Sequence, residues 1–197
     1  MSGVRIGAGN LGGRGLWAER DFAAGEVVVA YELRELDARE YAALPAGEEL
    51  FVHSYWGRRY LYPAPARYVN HADDPSCYQD FDRACDVARR PIAAGEAITI
   101  DAGQETAREL ATFLAAWNDD PARRPELVAA DAVLWRDGVP HHGREAVLGR
   151  HRVHDPAWLV GTGRWEALCS ATSGGRHVTM LLKVVAGNWQ LVYQHLG

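Results

Sequence analysis

The sequence predicts a mixed α/β chain of two domains, a mostly-β first half followed by an α+β second half. Two observations carry that prediction. From residue 4 to residue 101, short β-branched or aromatic runs alternate with glycine turns, and no long amphipathic helix intervenes. From residue 106 the pattern changes. Leu110, Phe113, Leu114 and Trp117 recur at helical spacing, and three β-rich runs close the chain: Trp165–Thr172, His177–Val185 and Trp189–Leu196, separated by Ser173-Gly174-Gly175 and Ala186-Gly187. The change places a boundary at 104/105 with no linker, giving domains 1–104 and 105–197.

Composition narrows the function classes. A chain of 197 residues with 48% hydrophobic content buries a core large enough for one domain or two small ones. The net charge is −5 with no basic block, which argues against a nucleic-acid surface and suits cationic partners. Cys77, Cys85 and Cys169 are odd in number and form no CxxC pair, as expected of a reduced, cytoplasmic protein without structural zinc or a disulfide framework. No run has the length of a membrane span, and the first residues lack the build of a signal peptide, so no membrane partner is expected. Lys183 is the only lysine among 21 basic residues; with the abundance of Ala and Gly, this reads as codon bias in a GC-rich genome.

The elements follow in order. Gly7, Gly9, Gly12, Gly13 and Gly15 fall within nine positions, a loop able to approach a ligand closely. Val27–Leu33 reads as a strand. Asp37 to Leu44 reads as a short helix, with Asp37 as N-cap and Glu40 three residues on. Phe51 to Tyr62 reads as an aromatic hairpin around Gly57. Most of its aromatics are expected in the core, with at least one of Tyr55, Tyr60 and Tyr62 free to line a substrate channel. Arg83–Arg90 reads as a strand leading through Pro91-Ile-Ala-Ala-Gly95-Glu96 into Ala97–Asp101. In the second half, Thr106-Ala-Arg-Glu109 fits a capping box and Asn118-Asp-Asp-Pro121 breaks the helix it starts. Helices are expected at 125–130 and 143–149, with a strand at 132–135 between them. His151 and His154 are spaced to share a helix face, but no third ligand follows and Pro156 ends the helix, so no metal is assigned.

Two stretches carry chemistry: Arg67-Tyr68-Val69-Asn70-His71-Ala72-Asp73-Asp74-Pro75-Ser76, and Gly95-Glu96-Ala97-Ile98-Thr99-Ile100-Asp101-Ala102. With Gly13-Arg14-Gly15-Leu16-Trp17-Ala18, they resemble the SET domain of S-adenosyl-L-methionine (AdoMet)-dependent lysine methyltransferases, and the short helix and hairpin resemble the layout of small bacterial members. The resemblance implies a mostly-β SET fold over residues 1–104. It also implies AdoMet held by Gly13, Arg14, Gly15, Leu16, Trp17, Asn70 and His71, and an amine acceptor on a protein or small molecule. Tyr78 stands near the family's channel aromatic and is the candidate catalytic residue. The sequence departs at Ala72, Ser76 and Ala102. Ala102 stands where the family carries a tyrosine whose hydroxyl faces the reaction centre. Three readings of that alanine stay open: another tyrosine such as Tyr78 is recruited, AdoMet binding survives without transfer, or the enlarged pocket takes a different substrate.

Asp131–Pro140, His142–Ala146 and the closing Asn188–His195 resemble the SnoaL-like branch of the nuclear transport factor 2-like fold. This implies an α+β cone over residues 105–197, with Asp131, His141, His142 and His195 as raw material for a general base and Trp117, Trp135, Trp189 and Tyr193 as pocket walls. For each, a core or surface role is the plainer reading. The resemblance allows a homodimer through this domain, or a small-metabolite isomerase or cyclase activity, beside the methyltransferase and the inactive binding or assembly protein.

Overall fold

The computed structural model describes residues 3–120, 124–148, 152–161 and 165–197. The chain divides into two compact units: unit 1 comprises residues 1–35 and 60–107, and unit 2 comprises residues 36–59 and 108–197. Residues 36–59 therefore belong with the C-terminal part, an excursion that a single boundary at 104/105 does not contain.

The strands and helices run in chain order as β1 (Val4–Ala8), β2 (Arg14–Ala18), β3 (Val27–Ala30), β4 (Arg34–Leu36), α1 (Ala38–Ala42), β5 (Val52–Tyr55), β6 (Arg58–Leu61), β7 (Asn70–His71), β8 (Cys77–Asp80), β9 (Cys85–Ala88) and β10 (Ala97–Ile100). They continue as α2 (Ala102–Asp119), α3 (Arg124–Leu127), β11 (Val128–Arg136), β12 (Val139–His142), α4 (Arg144–Val147), β13 (His154–Val160), β14 (Glu166–Ser173), β15 (Arg176–Val185) and β16 (Asn188–Leu196). Strands dominate, and no helix among the described residues is long and apolar enough to cross a membrane.

Unit 1 is built from short strands because glycines and prolines punctuate it every few residues. One sheet is ordered β1-β2-β10-β7 and another β3-β9-β8. Within the first, β10 runs antiparallel to β2, with Ile98 opposite Leu16, and parallel to β7, with Thr99 opposite Asn70. The two Ala-Ala-Gly-Glu turns are built alike. In each, the Glu carboxylate accepts the N–H of the first alanine, Ala23 to Glu26 at 3.0 Å and Ala93 to Glu96 at 3.1 Å, while an arginine six residues upstream closes on it at 2.6 Å. Gly25 and Gly95 take φ values of 83° and 86°, where a side chain would be strained. Phe22 and Ile92, two residues after their respective arginines, exchange backbone hydrogen bonds at 2.8 and 3.0 Å, tying the turns together.

Unit 2 holds a six-stranded sheet ordered β12-β11-β16-β15-β14-β13, antiparallel except for the β11–β16 pair. β14 alternates strictly, with Ala167, Cys169, Ala171 and Ser173 inward and Glu166, Leu168, Ser170 and Thr172 outward. The inward rows meet Leu110, Phe113, Leu114 and Trp117 of α2 in one core cluster with Met180, Leu182, Trp189 and Leu191. Burying side chains such as Phe113 and Met180 contributes about 1.5–3 kcal/mol each. Cys77, Cys85 and Cys169 are free and buried.

Several expectations are corrected. The Val27–Leu33 run ends as a strand at Ala30: the Tyr31 N–H still bonds Ala84 O, but Ala84 takes a φ of 49° and turns the partner chain away. The capping box at Asp37 and Glu40 is present in both directions. The one expected at Thr106 is not, because the helix starts earlier: Asp101 Oδ1 accepts the Gly103 N–H at 2.9 Å, and α2 begins at Ala102. The helix expected over 125–130 stops at Leu127, since Val128 pairs with Leu191 and opens β11. His141 and His142 lie on strand β12, and His195 sits in β16 opposite Trp135 and Thr179. His154 begins strand β13, not a helix. Pro156 is tolerated there because β13 is an edge strand and its register shifts between His154 and Ala157. His151 and Gly149 lie outside the described residues.

Candidate active site

Three segments far apart in sequence meet in unit 1 because β10 is a central strand. β2 brings Leu16 and Trp17 to one of its edges and β7 brings Asn70 and His71 to the other. A cleft at this junction is lined by Asn10, Gly15, Leu16, Trp17, Asn70, Ala97, Ile98 and Thr99.

The loop before β2 is shaped by close approach. A Cβ on Gly9 would lie 2.7 Å from Arg14 O and 2.7 Å from Asn70 Nδ2, and one on Gly15 would lie 2.8 Å from Gly9 Cα. Asn70 Nδ2 donates to Arg14 O at 3.4 Å, so the asparagine seats directly on the glycine loop. Gly9 N–H bonds Gly13 O at 3.0 Å, and Gly12 and Gly13 adopt φ of 91° and 64°. Arg14 leaves the loop sideways: its guanidinium donates to the Tyr68 hydroxyl at 3.1 Å and lies 5.3 Å from that ring's centre. Trp17 Nε1 donates to Ala8 O at 3.0 Å, which fixes the indole beside the loop.

Ser76, where the family pattern has asparagine, fastens the second motif to the third. Its hydroxyl accepts the Thr99 N–H at 2.9 Å and donates to Ala97 O at 3.1 Å, while its own N–H donates to Thr99 Oγ1 at 3.0 Å. The residue is 1% exposed, so these bonds are shielded from water.

His71 Nδ1 accepts the Ala102 N–H at 3.2 Å, which places the proton of the neutral ring on Nε2, 3.5 Å from Asp73 Oδ1. Ala102 is thus the first residue of α2 and a backbone partner of His71, and it carries no hydroxyl toward the cleft.

The tyrosines separate. Tyr78 is 42% exposed and stands on the opposite face of β8 from buried Cys77 and Gln79. Tyr62 is buried in unit 1, its ring centre 5.1 Å from that of Tyr31, and Tyr60 is half-buried. Tyr55 is buried in unit 2, with Trp56 at 6.3 Å. Tyr31, Gln79 and Asp86 were not among the sequence candidates, yet all three place buried polar atoms in unit 1. Burial, followed by the charge of Glu105, pushes the Asp86 carboxyl up to about 8, and burial raises the Tyr31 hydroxyl above its ordinary range. Among the described residues no group of three His, Cys, Asp or Glu side chains is placed to hold a metal ion.

Comparison with known families covers most of unit 1 and residues 36–59 of unit 2. The SET domain family model matches residues 13–103. Residues 13–103 are a SET domain. A candidate histone methyltransferase from Plasmodium falciparum is similar at 18% identity over 51% of this chain and 96% of its own, with a TM-score of 0.40. A humanized mutant of the Polycomb Repressive Complex 2 of Chaetomium thermophilum, bound to an inhibitor, is similar at 22% identity over 52% of this chain and 15% of its own, with a TM-score of 0.41. No curated protein matches the chain. The SET domain supports a SET-type methyltransferase in general terms, and methyltransferases of this family typically use AdoMet.

The residues of the SET cleft fit such a cofactor. Asn10 and Asn70 supply polar side chains, Leu16, Ala97 and Ile98 supply an apolar wall, and Gly9 and Gly15 let the loop close on Arg14 O and Asn70 at its edge. Trp17 adds an aromatic face of the kind that attracts a sulfonium.

Proposed function

We propose that the SET domain transfers a methyl group from AdoMet to an amine of a protein or small molecule. The observation that carries the reading is the seating of Asn70 on the Gly9–Gly15 loop, with β10 between the two motifs. Gly13, Arg14, Gly15, Leu16, Trp17 and Asn70 hold the cofactor. His71, locked by the Ala102 N–H, fixes the rim where β7 leaves β10. AdoMet supplies an electrophilic methyl carbon on a sulfonium. The protein's part is positioning and water exclusion, since a neutral amine displaces the methyl directly and no covalent intermediate with the protein is needed. Tyr60 and Tyr62 belong to the acceptor side, and Tyr78 is the hydroxyl to test in place of the one missing at position 102.

The test is transfer of labelled methyl from AdoMet to an amine panel by the wild type and by Ala102→Tyr. Higher transfer by the variant identifies an impaired member of the family. Loss of an existing transfer identifies the space at Ala102 as part of the acceptor pocket. Transfer by neither protein, with AdoMet bound, favours the second reading, in which the domain binds without catalysis. That reading is supported by the structural use of Ala102 as a helix start and a His71 partner. For residues 105–197 we propose the SnoaL-like role of dimer support or ligand cone, supported by the packing of α2 on one face of the six-stranded sheet. Its check is whether a dimer or a co-purified metabolite accompanies the full chain.

A further inference from the structure

We infer that His71 is a positioning residue of the SET cleft whose hold depends on its proton: the neutral ring ties the start of α2 to β7, and protonation hands the ring to Asp101 and loosens the seat of Asn70. AdoMet affinity therefore falls as the ring charges. The inference rests on the methyltransferase reading for that last step, while the tie itself can be read without any ligand.

β7 consists of Asn70 and His71 alone, so each of its attachments counts. Its ladder to β10 pairs Asn70 with Thr99 and His71 with Ile100, and the next residue, Ala72, donates its N–H to Ile100 O at 3.0 Å. The His71 ring adds a further attachment, with Nδ1 accepting the Ala102 N–H at 3.2 Å. That bond uses the backbone of residue 102 and does not depend on the side chain there. Asn70 Nδ2 reaches Arg14 O at 3.4 Å, at the long end of hydrogen-bond range, so a small shift of β7 breaks it. Ser76, by contrast, is fastened by buried bonds between groups that do not titrate.

The ring is the proton-sensitive part of this junction. Asn10 and Asn70 at the cleft do not titrate, whereas imidazole is the side chain that changes charge between about pH 5 and 8. The His71 side chain is 43% exposed, so protons reach it from bulk water. A neutral ring offers Nδ1 as an acceptor, but a protonated one carries a hydrogen there and meets the Ala102 N–H donor to donor. Asp101 Oδ1, 4.0 Å from Nδ1, is placed to take the new N–H, yet it already accepts the Gly103 N–H at 2.9 Å in the first turn of α2. The charged ring and the helix start thus compete for one oxygen. Nε2 carries a proton in both states, so its approach to Asp73 Oδ1 at 3.5 Å survives the change. Of the other charged groups on the neighbouring elements, Asp74 is turned to Arg89 at 4.0 Å, Arg14 to the Tyr68 hydroxyl at 3.1 Å, and Glu105 of α2 is buried with its charge acting on Asp86. The N-terminal end of α2 opposes a cation, so a charged ring leaves the Ala102 N–H rather than staying against it.

The exchange is one hydrogen bond for another. The bond from the Ala102 N–H to Nδ1 is given up, one from Nδ1–H to Asp101 Oδ1 is formed, and one proton is taken from the buffer. AdoMet, favoured by the neutral form, expels that proton when it binds on the acid side, and its affinity drops with falling pH.

The experiment follows the Ala102 amide of the full chain by proton–nitrogen correlation NMR, without ligand, from about pH 8 to 5 beside the His71 ring resonances. The Ala102 amide is expected to shift with the midpoint of the ring, and an amide that stays constant while the ring titrates would overturn the tie. Asp101→Asn keeps an oxygen for the Gly103 N–H but removes the charge that takes the ring. It is expected to lower the midpoint, and an unmoved midpoint would remove Asp101 from the exchange. AdoMet is then titrated calorimetrically at both ends of the range. Wild type is expected to bind at least about threefold more weakly at the acid end, because apparent affinity scales with the fraction of chains in the competent state. His71→Asn, whose amide oxygen stands in for Nδ1 as an acceptor but takes no proton, is expected to lose that difference apart from any share due to AdoMet's own amino group, which both proteins see alike. Equal pH dependence in wild type and His71→Asn would overturn the positioning role. An Ala102 amide that follows the ring in folded protein that takes up no AdoMet keeps the tie and removes the methyltransferase reading, and AdoMet binding with a constant amide does the reverse.

Discussion

Each unit buries a carboxylate, Glu109 in unit 2 and Asp86 in unit 1, and the two stand in different surroundings. In unit 2, both carboxylate oxygens of Glu109 accept: Oε1 from the Ser54 N–H at 2.8 Å and Oε2 from Trp189 Nε1 at 3.2 Å. Ser54 Oγ in turn donates to Asn188 Oδ1 at 3.3 Å and accepts the Trp189 N–H at 3.2 Å. That network ties β5, α2 and β16 of one unit together. In unit 1, Asp86 is buried beside Gln79 on the neighbouring strand, and its charge reaches the Tyr31 hydroxyl. A carboxylate that accepts buried donors is a fastening, whereas one raised by burial is held in the folded state at a cost once it ionises. The acid at 109 is fastened by two donors, whereas the acid at 86 is marked by a carboxyl that burial and the charge of Glu105 raise.

The contrast can be broken most forcefully at Glu109. Glu109→Leu strands the buried Trp189 and Ser54 donors, a loss of about 4 kcal/mol, which urea unfolding would read, and Glu109→Gln is expected to retain much of it. Asp86→Asn is expected to act in the opposite direction. The folded carboxyl keeps its proton up to about 8, whereas the unfolded one releases it near its ordinary value of 3.8. Between those values the folded state binds more protons, so stability falls as pH rises from about 4 to 8, and the cost is fully present above 8. The Asn variant should match wild type near pH 4 and exceed it at pH 9 by several kcal/mol. A wild-type Tm that does not fall across that range would refute the assignment.

Smaller effects sharpen the cofactor side. Gly9→Ala drives a Cβ to 2.7 Å from Arg14 O, backbone that cannot swing aside. It should weaken AdoMet at least tenfold, about 1.4 kcal/mol, while the unit 2 network and its share of stability stay unchanged. Tyr78→Phe should move stability by less than about 0.5 kcal/mol, as for an exposed site, so any fall in methyl transfer would speak for the hydroxyl itself.

The SET motifs were legible because their chemistry is local. Glycines that must admit a neighbour's backbone, and an Asn-His pair beside a β-branched run, carry their pattern in consecutive residues. The wiring was not legible. That Asn70 lands on Arg14 O depends on β10 lying between β2 and β7, and a parallel pairing of Thr99 with Asn70 leaves no trace in either run. Gln79 carries no motif of its own, although buried Cys77 two positions before it sets the inward face of β8 and period-two alternation follows from it. Asp86 was visible as the lone polar residue in Cys85-Asp86-Val87-Ala88, a signal of a buried acid. Glu109 was read as a capping residue because its partners, Ser54 and Trp189, lie 55 and 80 residues away. Residues 36–59 illustrate the same limit, since membership of unit 2 is decided by packing rather than by the local pattern.

The most direct test of the central claim is calorimetric titration of the folded full chain with AdoMet and S-adenosylhomocysteine, with Gly9→Ala beside it. Binding in the micromolar range, about −8 kcal/mol, that is weakened in the variant is the predicted result. Folded wild-type protein that takes up neither ligand, or a variant that binds as well as wild type, would contradict a cofactor site built on the glycine loop and Asn70.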